Sequence, residues 1–512
     1  MPAIMAEKLS IRTEGGDVSP NEDVEVVQIT SDNGALQQNF GLWTFSAQAV
    51  VLSGSWAFAA TALTIAIFGG GAPVAIWGTI GISFCLGTVV LCLAEYGSVY
   101  PSAAGCTYIA SKVAGPEWGR FCGYMTGAFH CLGGLFSPPA FLVVLSQLIL
   151  TCANIMHSDY EPTRWQVFLL YQFWNIMALL VLLYGSRILP LLSTIAFVFL
   201  AGGLFLTIGL LVGFSPARAE SHIVFLDFYN LTGFESPIIC AMLGLLGPIY
   251  GFGPPHFILN MAEDVKNPAR NMPIALAAQQ IGSTIMLLAF YIAAYYTVLD
   301  YNLLFESTFP SIVGAVYLEA THNRAVTMFL LVIVLAPAFF ACFSYFLANV
   351  RLLYGFTRDG PLPKRDWFSK VDTNKNIPIN ILYISTFINF LLGFVYLASR
   401  AGFSIILGSS GIFYAGGYLF FLVPTIFNRR RYMGNGHFKL PFSVGMACAI
   451  FAALYELWTM VVYCLPPSYP VTAENANFTP VFLGAGPLLS LAGYYFHGRE
   501  HFQLKHQLEG IH

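Results

Sequence analysis

Residues 243–273 read LGLLGPIYGFGPPHFILNMAEDVKNPARNMP, and this stretch determines how the rest of the chain is interpreted. An apolar run is interrupted by Gly251, Gly253, Pro254 and Pro255, and it ends in the charged loop 263–268. A helix that breaks inside a bilayer exposes backbone N–H and C=O groups that lipid cannot satisfy. Such a break persists only where it is buried in protein or lines a cavity. The stretch therefore predicts a solute cavity at membrane depth.

Composition indicates a membrane protein. Hydrophobic residues make up 57% and charged residues 10% of the 512 residues. Mean hydropathy is +0.68, whereas soluble domains carry about 25% charged residues. The net charge of −3 gives no reason to expect a nucleic-acid partner. The ten cysteines are scattered without metal-ligand spacing, and the nucleotide-binding pattern GxxxxGK[ST] does not occur. We therefore expect no metal, no cofactor and no ATP-driven pumping by this chain.

Apolar segments of about 20 residues, long enough to cross a bilayer, recur along the chain and predict an all-α membrane protein with twelve transmembrane helices. The predicted spans are 42–67, 72–95, 123–153, 165–184, 189–213, 237–260, 275–299, 325–355, 379–398, 403–427, 442–465 and 481–497. A disordered acidic cytoplasmic tail is predicted at 1–38, and a second cytoplasmic tail at 498–512.

The distribution of basic residues predicts the orientation. If the N-terminus is cytoplasmic, most of the 23 Lys and Arg residues fall in inner loops, as the positive-inside rule requires. The predicted outer loops contain Arg164, Arg218, Arg324 and Arg400. Twelve spans then return the C-terminus to the cytoplasm. The sequons at Asn230 and Asn477 also fall in predicted outer loops, and their glycosylation is left open.

The first predicted span contains a second interruption, Ser53-Gly54-Ser55, so that spans one and six are both broken and lie five helices apart. Transporters built from inverted repeats have paired broken helices that meet near the bilayer midplane. Glycine also occurs in membrane helices for close packing alone. The combination with the Gly-Phe-Gly-Pro-Pro sequence of span six favours the functional interpretation.

Three loops resemble a known family. They read AEYGSVYPSAAGCTY at 94–108, EDVKNPARNMP at 263–273 and RLLYGFTRDGPLP at 351–363. These motifs are similar to the inner-loop signatures of the amino acid–polyamine–organocation (APC) superfamily. The stretch PVTAENANFT at 470–479 further resembles the fungal amino acid/choline permeases, which include GABA and choline carriers. The similarity extends over nearly everything after residue 39.

The resemblance implies a leucine-transporter-type fold that works by alternating access. Residues 39–213 and 237–427 would form two inverted repeats of five helices each, and residues 442–497 would add two helices. The resemblance also implies proton-coupled secondary transport of a small amine-bearing solute such as an amino acid, GABA or choline. The membrane would be the plasma membrane or the vacuolar membrane. The substrate, the coupling ion, the direction of flux and the oligomeric state are left open by the sequence.

The two breaks supply the candidate substrate site. Free N–H groups at a half-helix N-terminus would hold a carboxylate, whereas aromatic faces would attract an ammonium group. The candidate substrate-binding residues are Ser53, Gly54, Ser55, Trp56, Tyr250, Gly251, Phe252 and Gly253. Many aromatic residues of this chain are expected simply to pack in the core.

Charged and titratable residues supply the remaining candidates. His256 is a candidate for proton coupling because histidine titrates near neutral pH. The chain departs from the subfamily here, since His256 and Asn260 stand where the family has an acidic residue and then a histidine. Arg351, Arg358 and Asp359 are gating candidates at an inner helix end, where a solvated loop is the alternative. Glu456 in span eleven and His130 in span three are intramembrane ionisable residues. Packing is the favoured role for Glu456, whereas both packing and a role near the substrate path are left open for His130.

Three alternatives to this interpretation remain. An exporter of an amine-containing pathway product would have the same fold, because gradients set the direction of flux. A nutrient receptor that has lost transport would be expected to carry a long signalling tail. A membrane-embedded enzyme would need a catalytic cluster such as HExxH, which does not occur in the sequence, so we predict a protein that is not an enzyme.

Overall fold

The structure is a computed structural model. It describes residues 40–504, apart from 103, 158, 186–188, 300–308, 373–374, 376, 399–401 and 473–474. The acidic tail predicted at 1–38 lies outside the described residues, as does the end of the tail predicted at 498–512. The described chain is almost entirely helical, and one small antiparallel pairing joins Gly69–Gly70 to Tyr229–Asn230.

Most of the described residues lie in helices. In chain order they are α1 (Leu42–Ser53), α2 (Ser55–Thr61), α3 (Leu63–Phe68), α4 (Gly71–Val99), α5 (Cys106–Val113), α6 (Gly115–Met156), α7 (Arg164–Gly185), α8 (Leu189–Phe214), α9 (Ser221–Phe225), α10 (Pro237–Gly244), α11 (Leu246–Phe252), α12 (His256–Leu259), α13 (Pro268–Thr297), α14 (Ile312–Thr321), α15 (Arg324–Thr357), α16 (Arg365–Phe368), α17 (Ile379–Ala398), α18 (Gly402–Phe427), α19 (Phe442–Cys464), α20 (Thr479–Gly493) and α21 (Arg499–His501). A 3-10 turn, Ala262–Asp264, follows α12, and a π-helical turn, Tyr494–Gly498, follows α20.

Ten helical segments of the described chain are long and apolar enough to cross a membrane. They are Gly71–Val99, Gly115–Met156, Arg164–Gly185, Leu191–Phe214, Pro237–Leu259, Pro268–Thr297, Arg324–Thr357, Ile379–Leu397, Ile405–Phe427 and Phe442–Cys464. The predicted class of helical membrane protein is confirmed. Predicted span 42–67 is divided among α1, α2 and α3, and predicted span 481–497 between α20 and the π-helical turn, so the count of twelve stays a prediction.

The outer surface of the helix assembly is apolar. On α8, Phe205 is 75% exposed and Leu206 is 53% exposed, and on α17 Phe387 is 60% exposed. Water would make such surfaces unfavourable, whereas lipid tails would cover them at no such cost. These helix faces are therefore suited to contact with the lipid of a bilayer.

Close contacts between helices position the site. Helix α18 packs against α6 and α19, and glycines on α18 allow the approach. A Cβ atom at Gly417 would lie 2.2 Å from the ring of His130 on α6, and one at Gly411 would lie 2.2 Å from the ring of Tyr463 on α19. Because glycine has no side chain, aromatic rings fill the space at both contacts.

Candidate functional site

The first chain interruption lies at Gly54, between α1 and α2. Gly54 has φ 61° and ψ −17°, a left-handed conformation that favours glycine. A Cβ atom there would also lie 2.3 Å from the ring of Phe58. Ser55 follows with φ 41°, which is uncommon for a residue with a side chain. Backbone conformation therefore ends the helix at this point.

The second interruption lies between α11 and α12. Gly253 has φ 63° and ψ 166°, a region of conformational space that is essentially restricted to glycine. Pro254 and Pro255 follow and have no N–H group to donate into a helix. Helix α12 begins only at His256. The sequence Gly-Pro-Pro thus separates the two helical segments by local chemistry.

The two interruptions are in direct contact. A Cβ atom at Gly253 would lie 2.7 Å from Cα of Ser53, 3.0 Å from the carbonyl oxygen of Leu52 and 3.0 Å from Oη of Tyr345. The backbone of the second interruption therefore packs on the backbone at the end of α1. The structure brings these parts of the candidate site together although about 200 residues separate them.

A cavity of about 100 Å³ opens beside this contact. Eight of its twenty lining residues are aromatic, and Glu456 adds a carboxyl group to the wall. The lining residues are Phe58, Leu86, Ser137, Phe141, Ile249, Tyr250, Gly253, Pro254, Pro255, Tyr345, Leu407, Ser410, Gly411, Tyr414, Ala415, Tyr418, Tyr455, Glu456, Thr459 and Tyr463. A cavity of this kind, with tyrosine rings and one carboxylate, is suited to a small organic cation.

The residues predicted from the breaks divide into two groups. Tyr250 and Gly253 line the cavity. The side chains of Trp56 and Phe252 pack elsewhere: the Trp56 indole N–H donates to the carbonyl oxygen of Leu200 over 2.8 Å, and Phe252 is buried in the core.

The remaining predicted residues support the backbone. The hydroxyl of Ser53 donates to the carbonyl oxygen of Val50 over 2.5 Å. The Cα of Gly251 faces Leu287, where a Cβ atom would lie 2.4 Å from a methyl group. Gly54 and Ser55 adopt the turn itself. These positions shape the interruption and do not line the cavity.

His256 belongs to a buried cluster beside the cavity. Its Nδ1 and the Tyr418 hydroxyl share a hydrogen bond of 2.7 Å. Its ring stacks on that of His130, with centroids 4.2 Å apart and planes inclined by 21°. Both imidazoles are fully buried, and Tyr418 extends from this pair to the cavity wall. The sequence did not predict that His130 would pair with His256, because the residues lie on different helices.

Glu456 is the residue whose position the sequence interpretation missed. It was assigned a packing role, but its side chain lines the cavity and is 3% exposed. A sequence signal existed in the helical spacing of Glu456, Thr459 and Tyr463, which places polar and aromatic groups on one face of α19. Without the packing partners of α19, that face could not be assigned to the cavity.

Two of the gating candidates, Arg351 and Arg358, form ion pairs with the loop after α12. Arg351 binds Asp264 in a bidentate manner, with Nε–Oδ2 and Nη2–Oδ1 distances of 2.9 Å. Arg358 binds Glu263 at 2.7 Å. Burial raises the pKa of Asp264, and the positive charge of Arg351 opposes that rise. The backbone N–H of Phe40 also donates to the carbonyl oxygen of Asp264. This loop therefore connects the start of α1 to the end of α15.

Asp359, the third gating candidate, lies at a different contact. It is buried, and its carbonyl oxygen accepts a hydrogen bond from the N–H of Gln503 over 3.0 Å. The neighbouring Phe502 packs against Tyr124 and Phe356. Asp359 thus lies where the described end of the chain contacts the helix bundle.

The long apolar helices define the class of the protein as a polytopic helical membrane protein. Residues 40–486 match the family described as amino acid permease. The chain belongs to this family of the APC superfamily, and the resemblance inferred from the loop motifs is confirmed. Permeases are transporters rather than enzymes.

Three relatives are similar to this chain over most of their length. A choline transporter of Saccharomyces cerevisiae is 25% identical over 509 residues, which cover 98% of this chain and 88% of the relative. An amino-acid permease of Arabidopsis thaliana is 27% identical over 447 residues, covering 82% and 84% respectively. A polyamine transporter of Saccharomyces cerevisiae is 22% identical over 454 residues, covering 87% and 73%.

Proposed function

We propose that this chain is a secondary active transporter that moves a small amine-bearing solute across a membrane by alternating access. The observation that carries the proposal is the contact between Gly253 and the end of α1, beside a cavity lined by tyrosines. Interrupted backbone within apolar helical segments is suited to a cavity for a passing solute. Tyrosine faces attract an ammonium group once water is removed.

The relatives support the same substrate class. The three names, choline transporter, amino-acid permease and polyamine transporter, have an amine in common. The architecture proposed with this function has twelve spans in two inverted repeats of five, with spans one and six broken. Both termini are proposed to be cytoplasmic, and the plasma membrane is the proposed location.

Uptake into proteoliposomes tests the function. We expect the purified chain to accumulate at least one of labelled choline, ethanolamine, GABA or an amino acid when a pH gradient is imposed. Empty liposomes and liposomes without a gradient are the controls. Failure of every solute to accumulate above these controls would contradict the proposal.

Loss of a lining ring is expected to weaken solute binding. Tyr345 lines the cavity next to Gly253, and Tyr345→Phe keeps the ring whereas Tyr345→Ala removes it. A cation over a desolvated ring gains about 2 kcal/mol, so we expect the apparent affinity to fall by about tenfold or more in the Ala variant alone. Tyr383, 48% exposed on α17, provides the control variant Tyr383→Ala. Equal affinities for the Phe and Ala variants would remove this ring from the site.

Proton coupling is proposed to depend on His256. Its hydrogen bond to Tyr418 and its stacking on His130 place a titratable group next to the cavity wall. In His256→Gln we expect accumulation to lose its response to the pH gradient, while exchange of labelled for unlabelled solute continues. The surface variant His157→Gln is the control. Gradient-driven accumulation that persists in His256→Gln would assign the coupling to another group.

A further inference from the structure

We propose that Glu456 is the counter-charge for the ammonium group of the substrate, so that the cavity accepts solutes with a net positive charge and rejects zwitterions. This inference rests on the proposed transport function and adds the charge class of the solute. It also gives α19, which lies outside the two proposed repeats, a direct part in substrate recognition.

Helix α19 presents a continuous face to the cavity. Glu456, Thr459 and Tyr463 follow one another at intervals of one helical turn, and all three line the cavity. Gly411 on α18 brings the ring of Tyr463 close, because any Cβ atom there would clash with that ring. The carboxylate is therefore held by a packed helix rather than by a loop.

The charge of Glu456 has no counterpart among the protein groups of the described chain. Ion pairs among the described residues include those of Arg351 with Asp264, Arg358 with Glu263, Arg430 with Glu95 and His222 with Asp227. None of them includes Glu456. A buried carboxylate without a partner is unfavourable in a low-dielectric interior. An ammonium group that enters the cavity would provide the missing positive charge.

The rest of the lining favours a cation over a zwitterion. The lining contains no Lys, Arg or His side chain within the described part of the chain, and six tyrosines line the same cavity as Glu456. Ring faces and a carboxylate both attract positive charge. A carboxylate on the solute would be repelled by Glu456 and would find no basic side chain in this wall. Net positive charge is therefore the property that the cavity selects.

Solutes of similar shape but different net charge test the proposed charge selectivity. Choline, glycine betaine and 3,3-dimethyl-1-butanol carry the same trimethyl head on a short chain, but they are a cation, a zwitterion and a neutral molecule. Ethanolamine and glycine form the corresponding pair for primary amines. For the wild-type chain in proteoliposomes we expect uptake of choline or ethanolamine to exceed that of its zwitterionic partner by about tenfold or more. The neutral analogue should not compete.

Two substitutions test the role of Glu456. Glu456→Gln keeps the shape and removes the charge, so the preference for cations over zwitterions is expected to fall to within about threefold. Glu456→Asp keeps the charge and should keep the preference. Glu161→Gln, which removes an exposed carboxylate far along the sequence, is the control. Stabilisation by choline against thermal unfolding should occur in the wild type and be lost in Glu456→Gln.

The outcomes separate the two proposals. If the wild type accumulates none of these solutes, the proposed transport function fails. If the wild type transports zwitterions as well as cations, or if Glu456→Gln retains the wild-type preference, the assignment of Glu456 is overturned while transport stands. If Glu456→Gln does not fold, three results still test the assignment of Glu456. They are the uptake ratios of the wild type, competition by the neutral analogue and the solute preference of Glu456→Asp.

Discussion

Gly253→Ala is expected to abolish transport. The new Cβ would lie 2.7 Å from Cα of Ser53 and 3.0 Å from the carbonyl oxygen of Leu52, and both are backbone atoms that cannot rotate away. The backbone conformation of φ 63° and ψ 166° adds strain of about 1–3 kcal/mol for a residue with a side chain, and overpacking adds about 1–3 kcal/mol. We therefore expect uptake near the background of empty liposomes and a lower thermal unfolding midpoint.

Gly209→Ala is the matched control for this change. Gly209 lies in α8 with open space around its Cα, so an added methyl group meets no atom within 4 Å. Alanine is also the better helix former by about 1 kcal/mol. Uptake by Gly209→Ala should equal that of the wild type. Wild-type uptake by Gly253→Ala would show that the direct contact between the two interruptions is not required.

Asp264→Asn is expected to cause a large loss of stability. The change leaves the guanidinium of Arg351 buried without its carboxylate partner, since the two side chains are 6% and 4% exposed. Removing one partner of a buried ion pair costs about 3–5 kcal/mol. Thermal unfolding in detergent measures the loss, and we expect uptake to fall in parallel because fewer molecules remain folded.

A double-mutant cycle isolates the interaction between these two residues. Combining Asp264→Asn with Arg351→Met removes both charges, so the double variant should recover much of the stability lost in Asp264→Asn. Asp227→Asn is the control, because its pair with His222 is exposed and worth about 0–1 kcal/mol. Losses that simply add in the double variant would mean that the two side chains do not stabilise each other.

The sequence predicted those features that depend on local backbone chemistry. Gly54 ends a helix because of its own conformation, and Gly253 with the two prolines does the same. The apolar composition likewise predicted the membrane class. The meeting of the two breaks was predicted through the analogy with inverted repeats, and their packing distance required the coordinates.

Features that depend on helix rotation and on distant partners were not predictable in this way. Trp56 was expected to offer a ring to the solute, but the rotation of α2 directs its indole to Leu200. Glu456 was expected to pack, but α19 turns it towards the cavity. The stacking of His130 on His256 joins α6 to α12, and no pattern within either helix encodes that pair.

The contact between the two interruptions is made largely by main-chain atoms, since a Cβ atom at Gly253 would lie 2.7 Å from Cα of Ser53 and 3.0 Å from the carbonyl oxygen of Leu52. A contact made largely by main-chain atoms depends little on which side chains line the cavity beside it. Substitutions at wall positions such as Tyr250 and Tyr414 are therefore expected to leave this contact in place. An engineer could then change the solute preference of the cavity while keeping the contact between the two interruptions.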